Sequence, residues 1–260
     1  MRRPALKARS IVAPIVGVIA FFGLWEVLVR VGNVPSYSLR PPSQILRYLF
    51  NDSTGFPKAT IQTGLDAFQA LFLALVIGLT FGALMAASRW FEEAAQPVLI
   101  LIQVTPWVAY SASVVLWIGG GTKPVLFVAT LVCVPAFTFA SMTGLRSVDP
   151  ASLEVLRCVN ASPWETLWRV RLPNALPNLF TAARFTVGLS LAAVYFTEGG
   201  ALSNRGLGAT GAKALAATAA LPLWSTVFCS ALLGAVALTT IGVLERLLLH
   251  WHSSQRLAAR

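Results

Sequence analysis

Asp149-Pro-Ala-Ser-Leu-Glu-Val-Leu-Arg-Cys-Val-Asn-Ala-Ser-Pro-Trp-Glu-Thr-Leu-Trp-Arg-Val-Arg-Leu-Pro173 is a polar interlude between two long apolar runs. It carries two helix starts. Asp149 is a good N-cap with Pro150 at the first helical position, where a missing N–H costs nothing. Ser162 repeats the pattern with Pro163, and Glu165, three residues on, completes a capping box. Between them Asn160 marks a stop, because Asn is the usual substitute for Gly where a helix ends in the left-handed conformation. The spacing predicts a helix, a tight turn, a short helix and an exit at Leu172-Pro173. Trp164, Leu167 and Trp168 share one face of the second helix at i, i+3, i+4 spacing. Two Trp on a short helix fit two roles. One is a knob that enters a groove in another protein; the other is an interfacial helix with Trp at headgroup level.

Outward from this interlude the chain is dominated by apolar runs. Hydrophobic residues make up 56% and charged residues 12%, and the mean hydropathy is +0.71. Soluble domains carry roughly 25% charge, and this much apolar surface has no place in a soluble chain. A membrane helix needs roughly 20 apolar residues. Candidate spans lie at 11–31, 66–88, 95–118, 124–145, 177–197 and 222–248, which predicts an all-α membrane protein with six transmembrane helices. Residues 1–260 form a single membrane domain, with 149–173 as a loop within it. The basic start Arg2, Arg3, Lys7 and Arg9 precedes an apolar run of signal-peptide character, but that run is long and no cleavage pattern follows it closely; it is expected to stay as the first span.

The net charge is +10. Its basic residues sit between the apolar runs and not along one stripe, which argues against nucleic acid and for the charge bias that orients membrane proteins. Seven of the 20 Lys and Arg (Arg30, Arg40, Arg47, Lys58, Lys123, Arg205 and Lys213) fall on one side, and the rest, counting Arg184, fall on the other with the termini. This predicts cytoplasmic N- and C-termini and a cytoplasmic 149–173. On the outer side Ser43 is placed to cap a short surface helix with Ile45, Leu46 and Leu49 on one face, and 198–221 is expected to hold a short re-entrant or surface helix. Cys133, Cys158 and Cys229 form no CxxC pair, and His250 and His252 read as a surface tail; no metal site is expected.

The interlude resembles the EAA loop of ABC importer membrane subunits, whose consensus is Glu-Ala-Ala, three residues, Gly, then about nine residues to Ile-x-Leu-Pro. Glu154 takes the Glu position, Val155 and Leu156 the two Ala, Asn160 the Gly, and Val170-Arg171-Leu172-Pro173 the closing run; the three small-residue positions depart from the consensus. Four further stretches are similar, in order and spacing, to the permease family that serves sulfonates, taurine, nitrate and bicarbonate. They are Leu39-Arg-Pro-Pro-Ser-Gln-Ile-Leu46, Trp117-Ile-Gly-Gly-Gly-Thr-Lys123, Ala175-Leu-Pro-Asn-Leu-Phe-Thr-Ala-Ala-Arg184 and Asn204-Arg-Gly-Leu-Gly208. The resemblance implies a type I ABC importer permease fold and a cell-membrane location. It also implies that the loop docks into a cleft on an ATPase subunit through Glu154, Val155, Leu156, Arg157, Asn160, Ala161, Ser162, Pro163, Trp164, Glu165 and Trp168. The implied partners are two ATPase subunits holding ATP and Mg, an extracytoplasmic solute-binding protein, and a second permease subunit, identical or homologous, within membrane lipid. This chain itself binds no cofactor on that reading. It has no G-x-x-x-x-G-K-[ST] phosphate loop and is not expected to hydrolyse ATP.

Polar groups inside spans mark candidate translocation-path positions. Span three offers Gln103, Thr105, Trp107, Tyr110 and Ser111 around Pro106, which can kink the helix; span four adds Thr138 and Ser141, and span five adds Arg184, Tyr195 and Glu198. Ordinary helix packing by small hydroxyl residues accounts equally well for several of these. Arg184 is expected to snorkel inward, Glu198 to be an interfacial charge, and Glu26 with Arg30 to form a local pair. The implied function is the permease subunit of an ATP-driven, binding-protein-dependent importer of a small polar solute, with a small organic or inorganic anion as the leading class. The alternative is a secondary transporter or channel that needs no ATPase; it predicts inverted repeats or broken helices. A membrane enzyme would need a cluster of His, carboxylates or Cys that the spans do not offer.

Overall fold

The computed structural model describes residues 4–32, 34–51, 55–200 and 205–249. Within them the chain is helical: α1 (Pro4–Val31), α2 (Pro42–Asn51), α3 (Phe56–Ala87), α4 (Arg89–Val104), α5 (Trp107–Ile118), α6 (Thr122–Arg146), α7 (Pro150–Cys158), α8 (Pro163–Thr166), a π-helical turn (Leu167–Arg171), α9 (Leu172–Gly200), α10 (Gly206–Ala216) and α11 (Ala220–Leu248). Five stretches are long and apolar enough to cross a membrane, and a sixth span appears if α4 and α5 are counted as one. The tail histidines His250 and His252, the basic residues Arg2 and Arg3, and Asn204 lie outside the described residues.

The centre of the bundle is α6, packed against α3 on one side and α9 on the other. α3 and α6 run parallel. Gly78 meets Phe137 and Thr138, and Gly82 meets Ser141, so closely that a methyl group at either glycine would overlap α6. Without water to drive helices together, small residues that let backbones approach hold such pairs. Buried apolar residues from α3, α6 and α9 fill the contact: Ala74, Met85, Cys133, Phe137 and Leu179. By contrast α1 is exposed over most of its length from Val12 onward. It joins the bundle through Phe22 and Trp25, which meet Trp224 and Phe228 of α11.

Several boundaries differ from the sequence expectation, each for a physical reason. α3 starts at Phe56, ten residues before the expected span, because its polar first turns find partners: Gln62 donates to Asp66 (3.0 Å) and Thr63 to Glu198 (2.9 Å). Span three is not a kinked helix but two helices meeting at 97° across Thr105-Pro106. Both break residues are extended, with ψ of 125° and 107°, and Thr105 is extended as expected for the residue before a proline. Ser43 is not a cap. Pro42 opens α2, which puts Ser43 in the first turn, and there Glu26 of α1 caps the helix from outside. The Ser43 N–H and Oγ both donate to the Glu26 carboxylate, at 3.0 and 2.7 Å. Of the expected face of α2, Ile45 is fully buried but Leu46 is exposed. The chain also does not exit at Leu172-Pro173; it stays helical through the π turn into α9.

Candidate functional site

The 147–171 segment leaves the bundle at the end where α3, α6 and α11 finish and α4 and α9 begin. Its local structure follows from its capping residues. The Asp149 carboxylate accepts from the Ala151 N–H (3.2 Å) and starts α7. α7 ends with Asn160 at φ 51°; the Asn160 N–H donates to the Arg157 carbonyl and the Ala161 N–H to the Leu156 carbonyl, both at 3.0 Å. These two bonds are a Schellman motif. Ser162 then begins α8 with a complete capping box: its Oγ accepts from the Glu165 N–H (3.2 Å) and Glu165 accepts from the Ser162 N–H (2.9 Å). The expected helix, left-handed turn and second helix are all present.

The segment exposes large apolar side chains among its charges. Trp164 is 66% exposed and Trp168 52%, and the two rings meet edge to face at 5.5 Å. Val155 and Val159, on α7 and in the turn, are 65% and 68% exposed. Glu154, Arg157, Pro163 and Glu165 are exposed around them, and Leu156, Ala161 and Leu167 are half-buried.

Both roots of the segment are tied to the bundle. Asn174 in the first turn of α9 donates to the Gly144 carbonyl (3.1 Å) and to Ser147 Oγ (3.0 Å), stapling the start of α9 to the end of α6. Arg146, the last residue of α6, donates to the Met85 carbonyl (2.5 Å) and pairs with Glu92 in the first turn of α4 (2.7 Å). Neither Arg146 nor Asn174 was singled out by sequence reasoning. The signal for Arg146 was available: a cation in the last helical turn, where the macrodipole favours it.

The expected path residues fall into separate groups. Gln103, Thr105 and Trp107 come together at the α4–α5 break. They line a small cavity of about 80 Å³ with Ile102, Pro135 of α6, and Phe185 and Leu189 of α9. Trp107 also meets Phe196 of α9 at 5.5 Å. Tyr110 is half-buried on α5, and Ser111 is buried with its Oγ on the Val108 carbonyl (2.8 Å). Thr138 and Ser141 are elsewhere, buried in the seam where α6 meets Gly78 and Gly82, so packing accounts for them. Arg184, its side chain half exposed, forms an ion pair with Glu245 near the end of α11.

Tyr195 and Glu198 belong to a third group at the opposite end. Tyr195 shares a 2.7 Å hydrogen bond with Thr226. Glu198 is not an interfacial charge: it is buried, and accepts from Thr63 of α3 and from the Gly208 N–H (2.9 Å). The Leu207 N–H in turn donates to Thr63 Oγ1 (2.8 Å). α10 is therefore a short helix seated among α3, α9 and α11. Its Arg-Gly-Leu-Gly start is steric: Gly206 sits at φ 88°, and a side chain at Gly208 would overlap the Tyr195 backbone. Glu245 and Thr63 were also missed. A carboxylate inside an apolar run invites a search for a cation in a neighbouring run, and Arg184 was there to be found. Among the described residues no group of three or more His, Cys, Asp or Glu side chains gathers as a metal site, and Cys133 is buried, Cys229 half-buried and Cys158 exposed.

The fold matches a chain of the methionine ABC transporter MetNI in an inward-facing conformation, with a TM-score of 0.63 at 19% identity over 73% of this chain and 94% of that one. In sequence the chain is 32% identical to the riboflavin transport system permease protein RibX of Chloroflexus aurantiacus, over 88% of this chain and 86% of the relative. It is 28% identical to the taurine transport system permease protein TauC of Escherichia coli, over 71% and 70%. Residues 74–250, which hold the whole 149–173 segment, the α4–α5 break and α10, match the model of one family. The chain belongs to that family, the binding-protein-dependent transport system inner membrane components, and is a multi-pass membrane protein.

Proposed function

We propose that this chain is the pathway-forming permease subunit of an ATP-driven importer, and that residues 149–173 are its docking loop for the ATPase subunit. The observation that carries the reading is the exposed Trp164–Trp168 pair on the capped α8 and the π turn that continues it, in a segment tied to the bundle at both roots. Large aromatic side chains in fixed positions are the usual anchors of protein interfaces. Val155, Val159 and the charges of Glu154, Arg157 and Glu165 frame them.

On this reading the loop and both termini face the cytoplasm. Two permease subunits, identical or homologous, pair in the membrane over two ATPase subunits that hold ATP and Mg, and a solute-binding protein delivers the solute from outside. The α4–α5 break, with Gln103, Thr105 and Trp107 around its cavity, is the part of the bundle best suited to line the pathway. Extended backbone inside a membrane is tolerated where protein or a polar cavity surrounds it. The cargo is a small polar solute; the taurine relative supports a small sulfonate and the riboflavin relative a larger aromatic molecule.

Docking is tested by purifying the membrane subunit with its ATPase subunits in detergent. Trp164→Asp combined with Glu154→Arg is expected to abolish co-purification and ATP-driven uptake while the permease still folds. Intact assembly and uptake in that variant would remove the docking role.

A further inference from the structure

We propose that Arg146 transmits movement of the 149–173 segment to the α4–α5 break, with Glu92 as its receiving group; the proposal rests on the docking role of that segment. Arg146 stands three residues before the Asp149 cap, so any displacement of α7 arrives at it directly. Its Nη2 bridges two other elements at once, the Met85 carbonyl near the end of α3 and the Glu92 carboxylate in the first turn of α4. The neighbouring Arg89–Glu93 pair lies within α4 and ties it to nothing else. Charge-assisted bonds of this kind are short and directional, so the α4 start has to follow the guanidinium.

What α4 then does is set by its other end. It runs as one helix from Arg89 to Val104, and its residues Ile102 and Gln103, with Thr105 of the break, form one wall of the cavity. Thirteen residues of helix separate Glu92 from Thr105, roughly 20 Å at 1.5 Å per residue. Of the α4 residues only Leu99 is buried, so the helix is held lightly along its length, while its start is tied to α6 through the Arg146–Glu92 pair. The facing wall comes from Phe185 and Leu189 of α9. α9 begins at the segment's second root, where Asn174 holds the end of α6. Two walls of the cavity are thus anchored at the two roots of one projecting segment, and the third, Val132, Pro135 and Ala136, belongs to α6, which ends in Arg146. Arg146 serves the wall that has no covalent continuity with it. Arg146 is in this sense a positioning residue and touches no solute.

The experiment uses the assembled complex with its ATPase subunits in lipid nanodiscs. A Thr105→Cys reporter is introduced with Cys158→Ser to silence the exposed native thiol, and its maleimide labelling rate is compared without nucleotide and with ATP plus vanadate. The parent is expected to show a nucleotide-dependent change in rate. Arg146→Gln and, separately, Glu92→Gln are expected to lose that change while retaining co-purification and ATP hydrolysis. The exchanged pair Arg146→Glu with Glu92→Arg is expected to regain it. Persistence of the parent's change in both single variants would overturn the proposal. Failure of the docking role shows differently, as co-purification that survives Trp164→Asp with Glu154→Arg.

Discussion

Arg184 lies twelve residues into α9, and Glu245 of α11 pairs with its charge. Removing one partner leaves the other charge in an apolar setting, whereas removing both leaves an apolar contact. Arg184→Leu is expected to lower stability by about 1–3 kcal/mol, less than the ~3–5 of a fully buried pair because the arginine is half exposed. Arg184→Leu with Glu245→Leu is expected to recover most of the loss, and thermal unfolding in detergent reads both. At Asn160 the left-handed backbone, not the side chain, is what the turn requires. Asn160→Gly is therefore expected to keep or raise the hydrogen-exchange protection of the α7 amides. Asn160→Val is expected to lower it, by about 1–2 kcal/mol in opening free energy. That turn was legible because capping chemistry is local: Asp149, Asn160, Ser162 and Glu165 act within a few residues of themselves. Glu26 capping α2 across 17 residues was not, since nothing in the neighbourhood of Ser43 announces a carboxylate from another helix.

At the scale of elements, the α4–α5 pair shows where local reading stops. Pro106 announced an interruption, and the continuous apolar run suggested one kinked span; the size of the bend, 97°, depends on what α6 and α9 place inside it. Pro106→Ala lifts the steric restriction on Thr105 and is expected to straighten the pair. Spin labels at Val98→Cys and Ser113→Cys would then move apart, from about 16 Å across a right-angled bend toward roughly 22 Å along a continuous helix. An unchanged distance would show that the bend is imposed by packing alone. The start of α3 teaches the same lesson from the other side. Gln62 and Thr63 look like a loop in sequence because the partner that buries Thr63, Glu198, is more than a hundred residues away.

For the whole molecule, the exposed apolar helices fix a membrane setting and the order of polar interruptions fixes the element order, so both were legible from composition and periodicity. Which helices touch was not, because almost any apolar run can face lipid or protein. Orientation has a direct test in the native thiols. Cys158 is exposed on the projecting segment while Cys133 is buried and Cys229 half-buried. A membrane-impermeant maleimide is expected to label Cys158 in inside-out vesicles and not in intact cells; the opposite pattern would invert the proposed topology.

The π-helical turn at Leu167–Arg171 also keeps an angular phase. It holds one residue more than an α-turn between the Trp164–Trp168 face and the membrane helix α9, with no break in the helix. An α-helix advances about 100° per residue, whereas a π turn spreads its extra residue over a wider turn and advances less per residue. A one-residue deletion at Val170 is therefore expected to restore regular α-helix with the indole pair at nearly its present azimuth around the bundle. A one-residue deletion in the regular helix that follows would instead swing the pair by about 100°. Single deletions should consequently be better tolerated inside this turn than just beyond it.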